Sequence, residues 1–115
     1  IMHAIMHDQP ATLILNVPNA GRLGDLDDAA VIEAPCLVDG EGIHPLPCPA
    51  LPDHGRGLVQ QVKASERRAL AAVASRSRTD AWMALAIHPL VDSTRVARAL
   101  LDEMIAQHEG LAYLR

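Results

Sequence analysis

Several small groups of residues in this chain could do chemistry. His3 and His7 stand four apart, so a helix would turn both imidazoles toward one face and one metal ion. A zinc site needs further ligands, and neither an HExxH pattern nor a paired-cysteine spacing supplies them, so these read as surface or interface histidines. Cys36, His44 and Cys48 lie close in sequence, but Pro45 and Pro47 limit how the backbone can bring all three onto one ion. Asp25, Asp27, Asp28 and Glu33 form an acidic patch of the kind that can do acid–base work, although neighbouring acids on a loop are ordinarily just solvated. Gly55-Arg56-Gly57 invites comparison with a dinucleotide fingerprint. Gln60 fills the third glycine position and no strand feeds the motif, which makes it a helix start. No serine sits in a G-x-S-x-G context, and no cysteine has a helix-start setting that would lower its pKa. The residues alone specify no catalytic, cofactor-binding or metal-binding set.

The elements that would position these groups follow from periodicity and turn chemistry. Ile1 to Asp8 reads as the last turns of a helix with no capping residue ahead of it, which suggests a truncated element. Thr12 to Val17 is a buried strand closed by Pro18-Asn19-Ala20-Gly21, and an acidic loop runs on through Asp28. Ala30 to Val38 is a second strand, where Pro35 implies a sheet edge or bulge. Asp39-Gly40-Glu41-Gly42 is a hairpin turn into Ile43-His44, and Pro45, Pro47, Pro49 and Pro52 hold the next stretch extended. Three helices follow. The first runs from Pro52 or Asp53 to Ser75, with Leu58, Val62, Ser65, Ala69 and Val73 on one side. The second covers Thr79 to His88, apolar nearly all round and therefore expected to be buried, with Pro89 closing it. The third starts at an N-cap Ser93, carries a broad stripe of Val96, Leu100, Met104, Ala97, Leu101 and Ile105, and ends at Gly110. Strands first and helices afterwards specify an α+β fold: a short mixed or antiparallel sheet with three C-terminal helices.

Composition bounds the rest. The 115 residues suffice for a single domain, 1–115, with strands, turns and a proline-rich segment over 1–52 and a helical part over 53–115. With one Trp, one Tyr and no Phe, the core must be built from Ala, Leu and Val. The net charge of −4 and the absence of a basic stripe argue against nucleic acid as a partner. No apolar run is long enough to span a bilayer, and no secretory signal is recognisable, so the expected compartment is the cytoplasm and Cys36 and Cys48 are expected to be free thiols.

Five motifs in order carry a resemblance: Asn16-Val17-Pro18-Asn19-Ala20-Gly21, Val31-Ile32-Glu33-Ala34-Pro35-Cys36, Gly42-Ile43-His44-Pro45-Leu46-Pro47, Gly57-Leu58-Val59-Gln60-Gln61-Val62-Lys63-Ala64 with Glu66, and His88-Pro89-Leu90-Val91. Together they resemble the C-terminal region of glycoside hydrolase family four, and the last two are most similar to its 6-phospho-β-glucosidases. The resemblance covers nearly the whole chain. It implies the C-terminal domain of a lactate/malate dehydrogenase-like fold, preceded by an N-terminal Rossmann domain that is not in this chain. It also implies NAD and a divalent metal, commonly manganese, in the parent enzyme. That family is an exception to two-carboxylate glycoside hydrolysis. Its members oxidise the sugar at C3 with NAD, remove the acidified C2 proton, eliminate the aglycone, and then add water and re-reduce. The metal ligands, the base and the cofactor glycines are implied to lie upstream, and Cys36 matches a structural position of the pattern.

From this follow the functional expectations. The chain should supply core packing and an oligomer interface to a hydrolase of phosphorylated β-glucosides, and should by itself be inactive and bind neither NAD nor metal. The alternative is a stand-alone interaction module. No catalytic residue is assigned; Asn16, Asn19 and Gly21 mark a possible substrate-side loop. That loop departs from the family's Asn-Gly-Ala-Ile after Asn19, reading Ala20-Gly21-Arg22-Leu23. Loss of the missing domain should bare Val31, Cys36, Leu37 and Val38 and favour a symmetric homo-oligomer.

Overall fold

Where short apolar runs are closed by turn residues, the chain pairs into a sheet, and where apolar residues recur at helical spacing it coils. The computed structural model, which describes residues 1–114, divides accordingly into two compact units, Ile1–Pro52 and a second from Asp53 onward. In the first, strand β1 (Ala11–Pro18) pairs with β2 (Val31–Asp39), and β2 pairs with β3 (Gly42–Pro45), in the order β1-β2-β3 and antiparallel throughout. The register sets Leu13 opposite Cys36, Leu15 opposite Ala34 and Val17 opposite Ile32, so one sheet face collects the apolar set. Val17, Ile32, Ala34 and Cys36 form its core, with Leu15, Leu23, Leu26 and Cys48 packed against them.

Helix α1 (Met2–His7) packs beside β2 and buries Ala4. It ends at Asp8 in a left-handed conformation (φ 49°), and the Asp8 carboxylate accepts the Gly40 N–H at 2.8 Å. A Cβ on Gly40 would stand 2.7 Å from Asp8 Oδ1, so the β2–β3 turn can meet the helix end because residue 40 has no side chain.

Of two expectations for this unit, one is narrowed and one is corrected. Pro35 marks no bulge, since the pairing of β2 with β1 runs one to one through Pro35 opposite Ile14; it does lie at an edge, but a local one, because the middle strand β2 is paired with β3 only from Cys36 onward. The missing N–H is tolerated because the Pro35 carbonyl, and hence its nitrogen, faces the β3 side, where it meets Leu46 just past the end of the ladder. Nor does one bared face hold Val31, Cys36, Leu37 and Val38. Alternation puts Cys36 and Val38 on the buried face at 0% exposure, while Val31 (51% exposed) and the half-buried Leu37 lie on the other, beside the exposed Ile14.

The second unit holds α2 (Asp53–Ser75), α3 (Arg78–Ala86), α4 (Thr94–Gln107) and a closing 3-10 helix, Glu109–Leu114. Ser77 caps α3 by accepting the Asp80 N–H at 3.1 Å, and Ser93 caps α4 by accepting the Val96 N–H at 3.2 Å. Leu101, Ile105 and Leu114 form a core with Ala81, Trp82, Leu85 and Leu111 around it.

Here the buried faces are narrower than periodicity suggests. On α2 only Ser65 and Ala72 are buried, whereas Leu58 and Val73 are more than half exposed. Small side chains let α3 approach closely, and the Ser65 hydroxyl donates to the Ala84 carbonyl at 2.8 Å, satisfying an acceptor that the end of a helix leaves without a partner. Gln61 does the same for the Ile87 carbonyl at 2.9 Å. The second predicted helix is not buried all round: Ala84 is its one buried residue, and it stops at Ala86 rather than His88. On α4 the column Ala97, Leu101 and Ile105 is buried while Leu100 and Met104 remain exposed, and the helix ends at Gln107, leaving Gly110 inside the 3-10 turn. No helix among the described residues is long and apolar enough to cross a membrane.

Candidate functional site

The loop between β1 and β2 is built on one side chain. Asn19 is fully buried, and its Nδ2 donates to the carbonyls of Leu23 (3.0 Å), Leu26 (2.9 Å) and Asp27 (3.2 Å) while its Oδ1 accepts the Leu23 N–H (2.7 Å). An amide carries both a donor and an acceptor, so it can satisfy a loop that presents both kinds of backbone group inward. The Asn19 backbone N–H donates to Ala30 at 2.7 Å, and Ala20 donates to Asp28 at 3.0 Å, closing the loop's base. Leu23 and Leu26 are thereby tucked against the sheet core.

At the tip, the Arg22 N–H donates to the Asn19 carbonyl at 3.0 Å across Ala20 (φ 43°) and Gly21 (φ 78°). Two successive positive φ values give the turn the hand of a type I′ turn. Glycine adopts this freely; Ala20 does so at a cost, whereas the asparagine of the family pattern tolerates it better. Arg22 folds back so that Nη1 donates to the carbonyls of Pro18 (3.2 Å) and Asn19 (2.9 Å). Ala20, Gly21 and Arg22 line one side of an open groove of about 380 Å³, with Pro45, Pro47 and Cys48 completing it.

Of the three residues marked for a substrate-side loop, Gly21 is exposed at this tip, Asn16 is exposed on the open sheet face opposite Glu33, and Asn19 is consumed inside the loop. The acids of the patch, Asp25, Asp27, Asp28 and Glu33, are all exposed, and an Asp27 oxygen accepts the Ala29 N–H at 3.1 Å. His3 and His7 are exposed with ring centroids 4.6 Å apart. Cys36 lies in the core and Cys48 against it, both as free thiols.

A pair that sequence reasoning missed sits at the hairpin. His44 Nε2 lies 2.9 Å from Asp39 Oδ1. The hydrogen bond from His44, and after it the Glu41 N–H, hold the Asp39 carboxyl below the ordinary aspartate range. The signal was present, since the predicted turn at 39–42 brings residues 39 and 44 to the same end of the hairpin. Arg22 was also missed, as a charge placed where the family pattern is apolar.

Among the described residues no group of three His, Cys, Asp or Glu side chains converges. Gly55 and Gly57 lie within α2 rather than in a strand-to-helix turn.

Against known proteins, residues 1–91 match the model of the family 4 glycosyl hydrolase C-terminal domain. A probable 6-phospho-beta-glucosidase of Bacillus subtilis is 35% identical over 114 residues, covering 99% of this chain and 25% of that protein. A 6-phospho-alpha-glucosidase from gut microorganisms, solved with NAD and glucose-6-phosphate, superposes with a TM-score of 0.85 at 31% identity, over 99% of this chain and 25% of its own. The 6-phospho-beta glucosidase of Thermotoga maritima, solved with manganese, NAD+ and glucose-6-phosphate, does so at 0.78 and 30% identity, over 96% of this chain and 27% of its own. The chain thus spans about a quarter of the length of the relatives it matches. Motif order, strand register and helix layout converge on one assignment: this chain belongs to the glycosyl hydrolase family 4 proteins, as their C-terminal domain.

Proposed function

We propose that this chain is the C-terminal domain of a cytoplasmic 6-phospho-glucosidase that works with NAD and a divalent metal, and that its substrates are phosphorylated β-glucosides. The observation that carries the reading is likeness to solved 6-phospho-glucosidases across 99% of the chain at a TM-score of 0.85. Relatives named for both anomers match, and the β-assignment rests on the Gly57–Ala64 and His88–Val91 motifs. Cofactor and metal would be held by the preceding Rossmann domain.

In this reading the chain supplies core packing and an oligomer interface to the enzyme. The β1–β2 loop faces substrate at Gly21, Asn19 acts as a positioning residue through its four hydrogen bonds, and Asn16 stands on the open sheet face. The open sheet face of Ile14, Val31 and Leu37 packs on the preceding domain or on a second copy. The test is turnover by the full-length protein with NAD and Mn²⁺ on p-nitrophenyl 6-phospho-β-glucoside and its α-anomer, beside the 115-residue chain. Release from the β-anomer by the full-length protein alone is expected. Exclusive α-activity overturns the anomer, and silence on both overturns the enzyme assignment.

A further inference from the structure

We propose that Arg22 makes the groove beside the β1–β2 loop a binding site for a phosphoryl group. Arg56, Arg68 and Arg78 are paired with Asp53, Asp80 and Asp102, and Arg98 lies over the Trp82 ring. Arg22 is half-buried, and its side chain bonds only to two backbone carbonyls among the described residues. Both bonds leave from Nη1, which fixes the guanidinium plane and leaves the Nε and Nη2 donors to others. That pair of parallel N–H groups matches two oxygens of a tetrahedral oxyanion.

The groove's remaining walls suit a phosphorylated organic molecule better than a bare ion, because Ala20, Pro45 and Pro47 give apolar surface beside the charge. Asp28 opposes binding: its Oδ1 lies 3.9 Å from where a Cβ on Gly21 would stand. Identifying the ligand as the phosphate of the substrate sugar rests on the proposed function; phosphoryl binding itself does not.

The test is ¹H–¹⁵N NMR of the 115-residue chain titrated separately with inorganic phosphate, glucose 6-phosphate and glucose. Phosphate and glucose 6-phosphate should shift the Arg22 Nε–H and Gly21 N–H signals saturably, with dissociation constants of roughly 1–10 mM for a few charge-assisted bonds at an open site. Glucose should leave them in place. Arg22→Gln should weaken phosphate binding about tenfold or more, and Asp28→Asn should tighten it about twofold, as expected when one charge is removed near a solvated site. Phosphate binding unchanged in Arg22→Gln, or equal saturation by glucose, overturns the proposal.

The Asn19 side-chain amide signals report whether the loop has kept its fold. Should Arg22→Gln disturb them, Arg22→Lys takes its place: weakened binding supports the forked contact, and unchanged binding overturns it. A parent enzyme that hydrolyses 6-phosphoglucosides while this chain ignores phosphate would refute the site and leave the function standing. Binding here with an inactive parent would do the reverse.

Discussion

The two units bury their surfaces by different means. Residues 1–52 close around a polar keystone: one asparagine side chain organises the β1–β2 loop and presses two leucines onto the sheet. The helical unit closes through small residues at its helix contacts, Ser65, Ala72, Ala84 and Ala97, around a core of Leu101, Ile105 and Leu114, and leaves other large residues such as Leu58, Leu70 and Val73 in solvent. A satisfied buried amide is specific and intolerant, since every bond it makes strands a backbone group when lost. A small-residue helix contact is forgiving at its rim and strict only along its inner column.

The sharpest break of this contrast is Asn19→Asp. The substitution keeps the shape but sets an acceptor against three carbonyls, so the loop should lose about 3 kcal/mol or more at neutral pH, the scale of a disrupted buried network. The introduced carboxyl would have a folded-state pKa raised above its unfolded value. The native state then binds more protons, and part of the loss is recovered as pH falls toward 4, to be read by hydrogen exchange across residues 19–30.

In the helical unit, Leu101→Ala should cost about 2–4 kcal/mol because Leu101 is 4% exposed in the core, while Leu70→Ala at 69% exposed should stay within about 0.5 kcal/mol. Chemical denaturation followed by Trp82 fluorescence checks both. Equal effects would mean that the inner column has been misidentified.

A gain is expected at the loop tip. Ala20→Gly relieves a left-handed alanine and should stabilise the loop by up to about 1 kcal/mol, measured by exchange of the Ala20 and Arg22 amides. A loss there would mean that some contact of the Ala20 methyl outweighs the strain.

The smallest effect concerns the hairpin. The folded-state pKa of Asp39 is depressed, so its pairing with His44 contributes above the unfolded carboxylate value, roughly pH 4, and is lost as pH falls through the folded value. In an NMR titration the Asp39 midpoint should lie below the ordinary aspartate range and rise in His44→Ala. No movement in that variant would assign the depression to the Glu41 N–H instead.

Much of this architecture was local enough to be legible in the residues. The apolar, β-branched runs over 12–17 and 30–38, closed by turn residues, mark the strands because such runs are too short for helices and fit a pleated surface. Ser93 announces a helix start because a hydroxyl there has one geometric task. The motifs at 16–21, 31–36 and 42–47 carry the family assignment, since they depend on sequence order and spacing alone. Decisions that depend on a partner in space were settled only by tertiary structure. Pro35 could enter the middle strand because β3 stops at the residue opposite Cys36. Which column of an amphipathic helix is buried depends on where the neighbouring helix crosses it. The role of Asn19 and the two-carbonyl anchorage of Arg22 arise from backbone groups up to eight residues away, and no pattern of side-chain types along the chain encodes which carbonyls a folded loop will turn inward.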